Sequence, residues 1–427
     1  MIVLFLDEYK HNILTYMKNL YFIFLSTCIF IFIGCTSGRR TDTGGALPII
    51  DVNKEYPVKR IDIHELAEVT YIPLETTENS LLQSYPLAVS DSLIIAFDIL
   101  QSQFHFFDGK GKYLHTINRH GLGPEEYYGA TRFDADFEKK EFYVYAEAAG
   151  IKIHIYDFNG KYKKTLELQE HTSVEDILNY DSDYLIYFND SYWPSPDKFK
   201  QEADKEPFYL VNKNDGSIRH VDKRLKIDKP VHHVFQMAEG QNGRYSLKEQ
   251  FYVNHILNNG GDFLLTNNAS DTLYSYRNHR LEPVFVRTPS ASRMDVPKLI
   301  TPYAYTDSYF MFGILPMDYE IGKKYYFDNR MGPHYMLDRK TNEIFKVILY
   351  DSLLDPEYDI KTRRETWNVF PYQLFNHVHS KNKGIGRYNT EFLLEKLEEG
   401  KLSGKLKDLA SKLKVDDNNC LAIYKFK

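Results

Sequence analysis

The chain is 427 residues long, 43% hydrophobic and 26% charged, with a formal net charge of −6. That length and apolar content suffice for a large core, and the mildly acidic balance with scattered Lys and Arg lacks the basic face of a nucleic-acid binder. Aromatic residues reach 15%, through 34 Tyr and 28 Phe, side chains that suit pleated, half-buried surfaces and favour strands.

From the N-terminus, residues 20–33 form an apolar run of 14. That is the length of a signal-peptide core and falls short of the ~20 residues of a membrane span. The run ends in Phe32-Ile33-Gly34-Cys35, which resembles a bacterial lipoprotein signal, where the cysteine becomes the lipidated first residue of the mature chain. Asp7 and Glu8 do not suit the charged start of such a signal and Lys18 does, so translation is read as beginning at Met17. Residues 1–34 are therefore expected to be removed, and 35–57, polar and Gly-containing, to be a flexible tether. The resemblance implies a membrane anchor at Cys35. With Cys28 removed and Cys35 acylated, only Cys420 remains, so no internal disulfide and no Cys/His zinc spacing is available.

The folded body is expected over 58–427. Val69–Thr77 alternates apolar and polar residues up to a turn, and Leu87–Phe97 reads strand, turn, strand. The hairpin Gln103–Phe107 and Tyr113–Ile117 follows around Gly109-Lys110-Gly111. Its residues Asp108, Gly111, Lys112, Tyr113 and Thr116 recur as Asp157, Gly160, Lys161, Tyr162 and Thr165, each displaced by 49 residues. A β-rich repeat of ~40–50 residues is the size of a propeller blade. The second unit runs through Ala130–Asp136, Glu141–Ala146, Lys152–Asp157 and Tyr162–Leu168. Weaker hairpins follow at Tyr184–Phe188 with Phe208–Val211 and Ile218–Val221, at Asp262–Thr266 with Thr272–Tyr276, and at Tyr325–Asp328 with His334–Asp338 and Ile344–Ile348. Cys420–Phe426 is a final strand, expected to close a sixth blade beside Val69–Leu74. Pro194–Pro207 reads as a polar insertion. Thr390–Leu413 has helical spacing broken at Gly400 and Gly404, which predicts two short helices packed on the rim.

The stretches YIPLETT, FFDGKGKYLHTI and GLGPEEY resemble the six-bladed β-propeller lipoproteins of gut Bacteroidetes, distant relatives of NHL-type propellers. The resemblance implies an all-β fold of six four-stranded antiparallel blades and an address in the envelope, at the outer membrane. The periplasmic face is favoured, because Thr36–Arg40 lacks the acidic residues that surface-exported relatives carry after the cysteine. Where the family loop, Gly-x-Gly-Pro-Gly-Glu-Tyr, has its third glycine, this chain has Glu125, and a left-handed backbone there would be strained.

Chemistry-bearing candidates are few. Arg119, His120, Glu126 and Tyr127 bracket the Gly-Pro loop between the first two blades and offer charge-assisted hydrogen bonds and a stacking ring to a glycan or peptide. Turn-building is the competing role for the same residues. His377 and His379 could share a face and a metal ion, whereas His232 and His233, as strand neighbours, would point apart. No Gly-x-Ser-x-Gly, Ser-x-x-Lys or HExxH signature is present, and no cofactor is implied. The reading is a non-catalytic binding or scaffold lipoprotein. The alternatives are a lyase or hydrolase acting on a polar polymer, and an envelope sensor or assembly partner.

Overall fold

A computed structural model describes residues 46–82, 86–146, 152–168, 174–189, 207–225, 234–239, 245–250, 255–267, 270–316, 334–357 and 378–427. Over Leu47–Lys427 the chain forms one compact unit, a six-bladed β-propeller. Blade 1 consists of Leu87–Val89, Leu93–Asp98, Gln103–Asp108 and Tyr113–Ile117, paired in that order. Blade 2 repeats it with Ala130–Asp136, Glu141–Ala146, Lys152–Asp157 and Tyr162–Glu167, as the 49-residue offset predicts. Blade 3 holds Val174–Asn179, Tyr184–Asn189, Phe208–Asn212 and Ile218–His220. Blade 4 holds Ile256–Asn259, Asp262–Leu265, Thr272–Arg277 and Arg280–Thr288, and blade 5 Lys298–Tyr305, Tyr309–Pro316, His334–Asp338 and Ile344–Tyr350. A separate hairpin, Val234–Glu239 with Tyr245–Gln250, lies in sequence between blades 3 and 4.

The sixth blade closes the ring from both chain ends. Cys420–Phe426 pairs with Lys383–Tyr388 on one side and with Ala67–Pro73 on the other, Leu421 opposite Ile72 and Phe426 opposite Ala67. Two further strands add to the outside of the neighbouring blades. Ile49–Asp51 runs parallel to Val286–Thr288, and Val58–Asp62 parallel to Lys346–Tyr350. The folded body therefore begins at Leu47, inside the stretch read from sequence as a tether ending at residue 57. The reason is the apolar content of that stretch: Ile50 is fully buried and Val52 nearly so.

Core side chains lie between blades. In blade 1, Ile94 and Ala96 pack towards blade 6, while Ile95 and Phe97 pack towards blade 2 with Phe133, Phe142 and Val144. Alternate residues face opposite sides of a strand, so a blade buried on both faces is written as a continuous apolar run, LIIAF or FHFF. Each interface is rich in rings: Phe104 stacks on Phe97 at 4.5 Å and leans on Phe142 at 4.8 Å. The helices Thr390–Glu398 and Gly404–Ala410 turn Phe392, Leu393, Leu406 and Ala410 into the core shared by blades 4 to 6. Their apolar face is thus covered by the propeller itself.

A buried carboxylate fastens blades 5 and 6 together. Asp351, fully buried, accepts hydrogen bonds from Tyr71 (2.5 Å), Tyr388 (2.8 Å) and the Leu353 amide (2.9 Å), and faces His64 Nε2 at 3.0 Å. Asp62 joins this group, capping the four-residue helix that carries His64. The arrangement could be mistaken for a metal site, but protein donors already occupy the Asp351 oxygens.

Candidate functional site

The Gly-Pro loop stands between the last strand of blade 1 and the first of blade 2. Tyr127 N donates to Arg119 O (3.0 Å), Gly121 N to Tyr127 O (3.1 Å) and Glu126 N to Gly123 O (3.1 Å), which closes the loop on itself. The Glu126 carboxylate folds back to accept from Gly123 N at 2.9 Å. It lies so close to residue 121 that a Cβ there would sit 1.9 Å from Oε2 and would push the carboxylate off Gly123 N. Glu125, in place of the family's glycine, is not among the residues with positive φ, and its carbonyl accepts from Tyr156 OH at 2.9 Å. The turn accommodates glutamate without left-handed backbone.

Beside this loop lies a cavity of about 300 Å³, bounded by the loop and by the outer strands of blade 2. Glu126 and Tyr128 face it from the loop, and Lys152, His154, Tyr162, Thr165 and Glu167 from the blade. Tyr162 OH lies 3.0 Å from Thr165 Oγ1, which lies 2.9 Å from His154 Nδ1. Burial, with the nearby Lys152 ammonium, holds His154 below its ordinary pKa and keeps the ring neutral. Lys152 stands 3.5 Å from Glu167. The cavity therefore offers a neutral hydroxyl–imidazole chain flanked by one cation and two carboxylates.

The four loop residues named from sequence take different places. Glu126 lines the cavity. Tyr127 is fully buried, its hydroxyl donating to Ser102 O at 2.8 Å and its ring edge-on to Phe104 and Tyr156, so the ring facing the cavity belongs to Tyr128. Arg119 Nε donates to Gly160 O at 2.9 Å and ties the loop to blade 2. His120 leans on Tyr128 with ring centres 5.4 Å apart. In sequence Tyr162 and Thr165 stand out only as repeat positions and not as a site, and His154, 49 residues after His105 and in step with them, is not singled out.

A second cavity, about 430 Å³, lies at the other end of the first strands, among the turns that leave them. His379 reaches it from blade 6. Its Nε2 lies 2.8 Å from Asp134 Oδ1 in blade 2, and its backbone amide donates to Val89 O in blade 1 at 3.0 Å. The following residues touch blades 4 and 5: Asn382 N donates to Asn259 Oδ1 (2.6 Å) and Asp307 N to Asn382 Oδ1 (2.8 Å). One turn that touches blades 1, 2, 4 and 5 must cross the propeller axis, so residues 379–382 narrow the channel at this end. His377, its expected metal partner, lies outside the described residues, as do His232, His233 and most of Pro194–Pro207.

A family model described as a domain of unknown function, DUF4934, matches residues 47–425. The chain belongs to that family. Among solved structures, this DUF4934 chain is similar to a Bacteroides fragilis protein assigned as exported, with 14% identity and a TM-score of 0.56, over 89% of this chain and 99% of that one. It is also similar to a member of the duf4221 family from Bacteroides vulgatus, at 9% identity and TM-score 0.45, over 85% and 97% of the two chains. The first likeness supports the DUF4934 fold alone. No curated protein matches the chain.

Proposed function

We propose that this DUF4934 protein is an envelope lipoprotein, anchored through lipid at Cys35, whose propeller binds a polar glycan or peptide without catalysis. The observation that carries the reading is the cavity beside the Gly-Pro loop. It gathers donors and acceptors of both charge signs next to an aromatic ring, the set that fixes a hydroxyl- or amide-rich ligand. The address rests on the apolar run ending at Gly34-Cys35 and agrees with the exported assignment of the B. fragilis relative. The periplasmic face of the outer membrane is the favoured side, from the absence of acidic residues after Cys35.

The test is a panel of glycans and peptides screened against wild type and Glu126→Gln. Glutamine retains an oxygen for Gly123 N, so the loop should hold while a charged acceptor is lost. Loss of such a bond costs about 1.5–3 kcal/mol, or roughly tenfold to a hundredfold in affinity. Unchanged affinity in the variant, for every ligand that wild type binds, would move the site elsewhere, with the axial cavity next in line.

A further inference from the structure

The chain carries the Tyr–Thr–His chain of blade 2 twice. In blade 1 Tyr113 OH lies 2.9 Å from Thr116 Oγ1, which lies 2.9 Å from His105 Nδ1, the same geometry 49 residues earlier. The two copies differ in what lies over the threonine. In blade 1 the connection entering from blade 6 folds down on the hairpin. Glu75 N donates to Gly111 O at 2.8 Å, the Glu75 carboxylate accepts from Tyr113 N at 2.8 Å, and Thr116 Oγ1 donates to Asn79 O at 3.0 Å. In blade 2 the equivalent connection is the Gly-Pro loop. It meets the hairpin at the matching point, Arg119 Nε on Gly160 O, but places no carbonyl over Thr165 among the described residues. The space that residues 75–80 fill in blade 1 is the cavity in blade 2.

Proton bookkeeping in the covered copy shows what the open one lacks. A threonine hydroxyl has one proton and two lone pairs. In blade 1 the proton goes to Asn79 O, so Tyr113 OH and His105 Nδ1–H both donate to Thr116. This leaves His105 Nε2 without a proton, and that atom is buried with no donor or acceptor beside it among the described residues. In blade 2 no acceptor for the Thr165 proton stands outside the chain of three among the described residues, and the hydroxyl can turn it back on His154 Nδ1.

We infer that the blade-2 cavity takes a ligand through an amide carbonyl, which accepts the Thr165 hydroxyl proton in the place Asn79 O holds in blade 1. This rests on the proposed binding role and names its recognition chemistry. Accepting the carbonyl turns the Thr165 proton outward and fixes His154 as the Nδ1–H tautomer. Tyr162 and His154 then hold the threonine as Tyr113 and His105 hold theirs. An amide carbonyl comes from an acetamido sugar or from a peptide bond.

The full chain is titrated with chitotriose, with cellotriose, which carries hydroxyls where chitotriose carries acetamides, and with a capped trialanine peptide. Wild type should prefer an amide-bearing probe over cellotriose, and whether sugar or peptide binds identifies the source. Thr165→Val should lower affinity for that probe about three- to tenfold, the worth of one neutral hydrogen bond, and Thr165→Ser should restore it. Thr116→Val, in the covered copy, should lower stability and leave binding unchanged. In histidine-labelled protein the His154 nitrogen resonances should shift to the Nδ1–H pattern on binding. Equal binding of chitotriose and cellotriose with no peptide binding, or a Thr165→Val variant that binds like wild type, overturns the inference. If a ligand sensitive to Glu126→Gln is found but has no such preference, the inference fails while the binding role stands. Insensitivity to both substitutions removes both.

Discussion

The repeat supplies a matched pair of glycines, one at the ring's seam and one inside it, and alanine at each should separate two costs. Gly111 and Gly160 hold the same hairpin turn at φ +84° and +79°, in the left-handed region that a Cβ disfavours by about 1–2 kcal/mol. Their surroundings differ. A Cβ on Gly160 would first meet the Ile117 side chain, at 2.9 Å, which can shift. A Cβ on Gly111 would sit 2.1 Å from the Pro73 carbonyl oxygen, backbone at the end of the closing blade's outer strand, and 2.8 Å from Ile72 Cγ2. Overpacking against such a fixed neighbour adds roughly 1–3 kcal/mol. Gly160→Ala should therefore cost about 1–2 kcal/mol and Gly111→Ala about 2–5 kcal/mol. Urea unfolding followed by tyrosine fluorescence reads both, with the larger midpoint shift for Gly111→Ala. Equal shifts, or a larger one for Gly160→Ala, would refute the claim that blade 6 presses on this turn.

Three further outcomes can be checked, the first two from the structure and the third from the proposed lipid anchor. Removing residues 420–427 deletes the buried Leu421, Tyr424 and Phe426, worth about 1.5–3 kcal/mol each, and opens the edges of Lys383–Tyr388 and Ala67–Pro73, so a cooperative melt should vanish; a truncated chain melting like the full one would place closure elsewhere. The Asp351 hydrogen bond raises His64 above its ordinary pKa of 6.5, so the bonus is whole below that value and fades as pH climbs through the raised one. Burial pushes Asp351 up, but His64, Tyr71 and Tyr388 outweigh it and hold the carboxyl below 3.8, so its bonus is lost only in acid; His64→Gln should flatten the fall in stability as pH rises above the ordinary histidine value of about 6.5, and an unchanged profile counts against the pair. Cys35→Ala should leave the protein out of the membrane fraction or as uncleaved precursor, and wild type recovered soluble and unacylated would end the lipoprotein reading.

Much of the propeller was legible because its hairpins are written in local chemistry. Asp108 Oδ1 accepts from the amides of Lys110 and Lys112, and Asp157 Oδ1 from those of Asn159 and Lys161, so the Asp and the left-handed Gly of each turn must recur together. The first strand of blade 5 was missed for an equally local reason. Pro302 argues against a strand, yet the pairing shifts register between Pro302 and Ala304 and so absorbs it. The cavity was half legible. Glu126 marks its loop in sequence, but Thr165, Tyr162 and His154 converge on that loop only through the stacking of blade 2 against blade 1, which no spacing along the chain encodes. Tyr127 shows the reverse: a residue type suited to stacking on a ligand is instead enclosed by Phe97, Phe104 and Tyr156.

The outer strands contributed by the N-terminal segment have a kinetic side. Residues 49–73 pair in turn with blades 4, 5 and 6, whose remaining strands come from the far half of the chain. These are the longest loops in the molecule to close, and contacts of such sequence separation form late. The first part of the folded body to leave the ribosome must wait, unpaired, for the last. A nascent chain that cannot seal its ring until synthesis is complete would stay threadable, which suits the export that the proposed envelope address calls for.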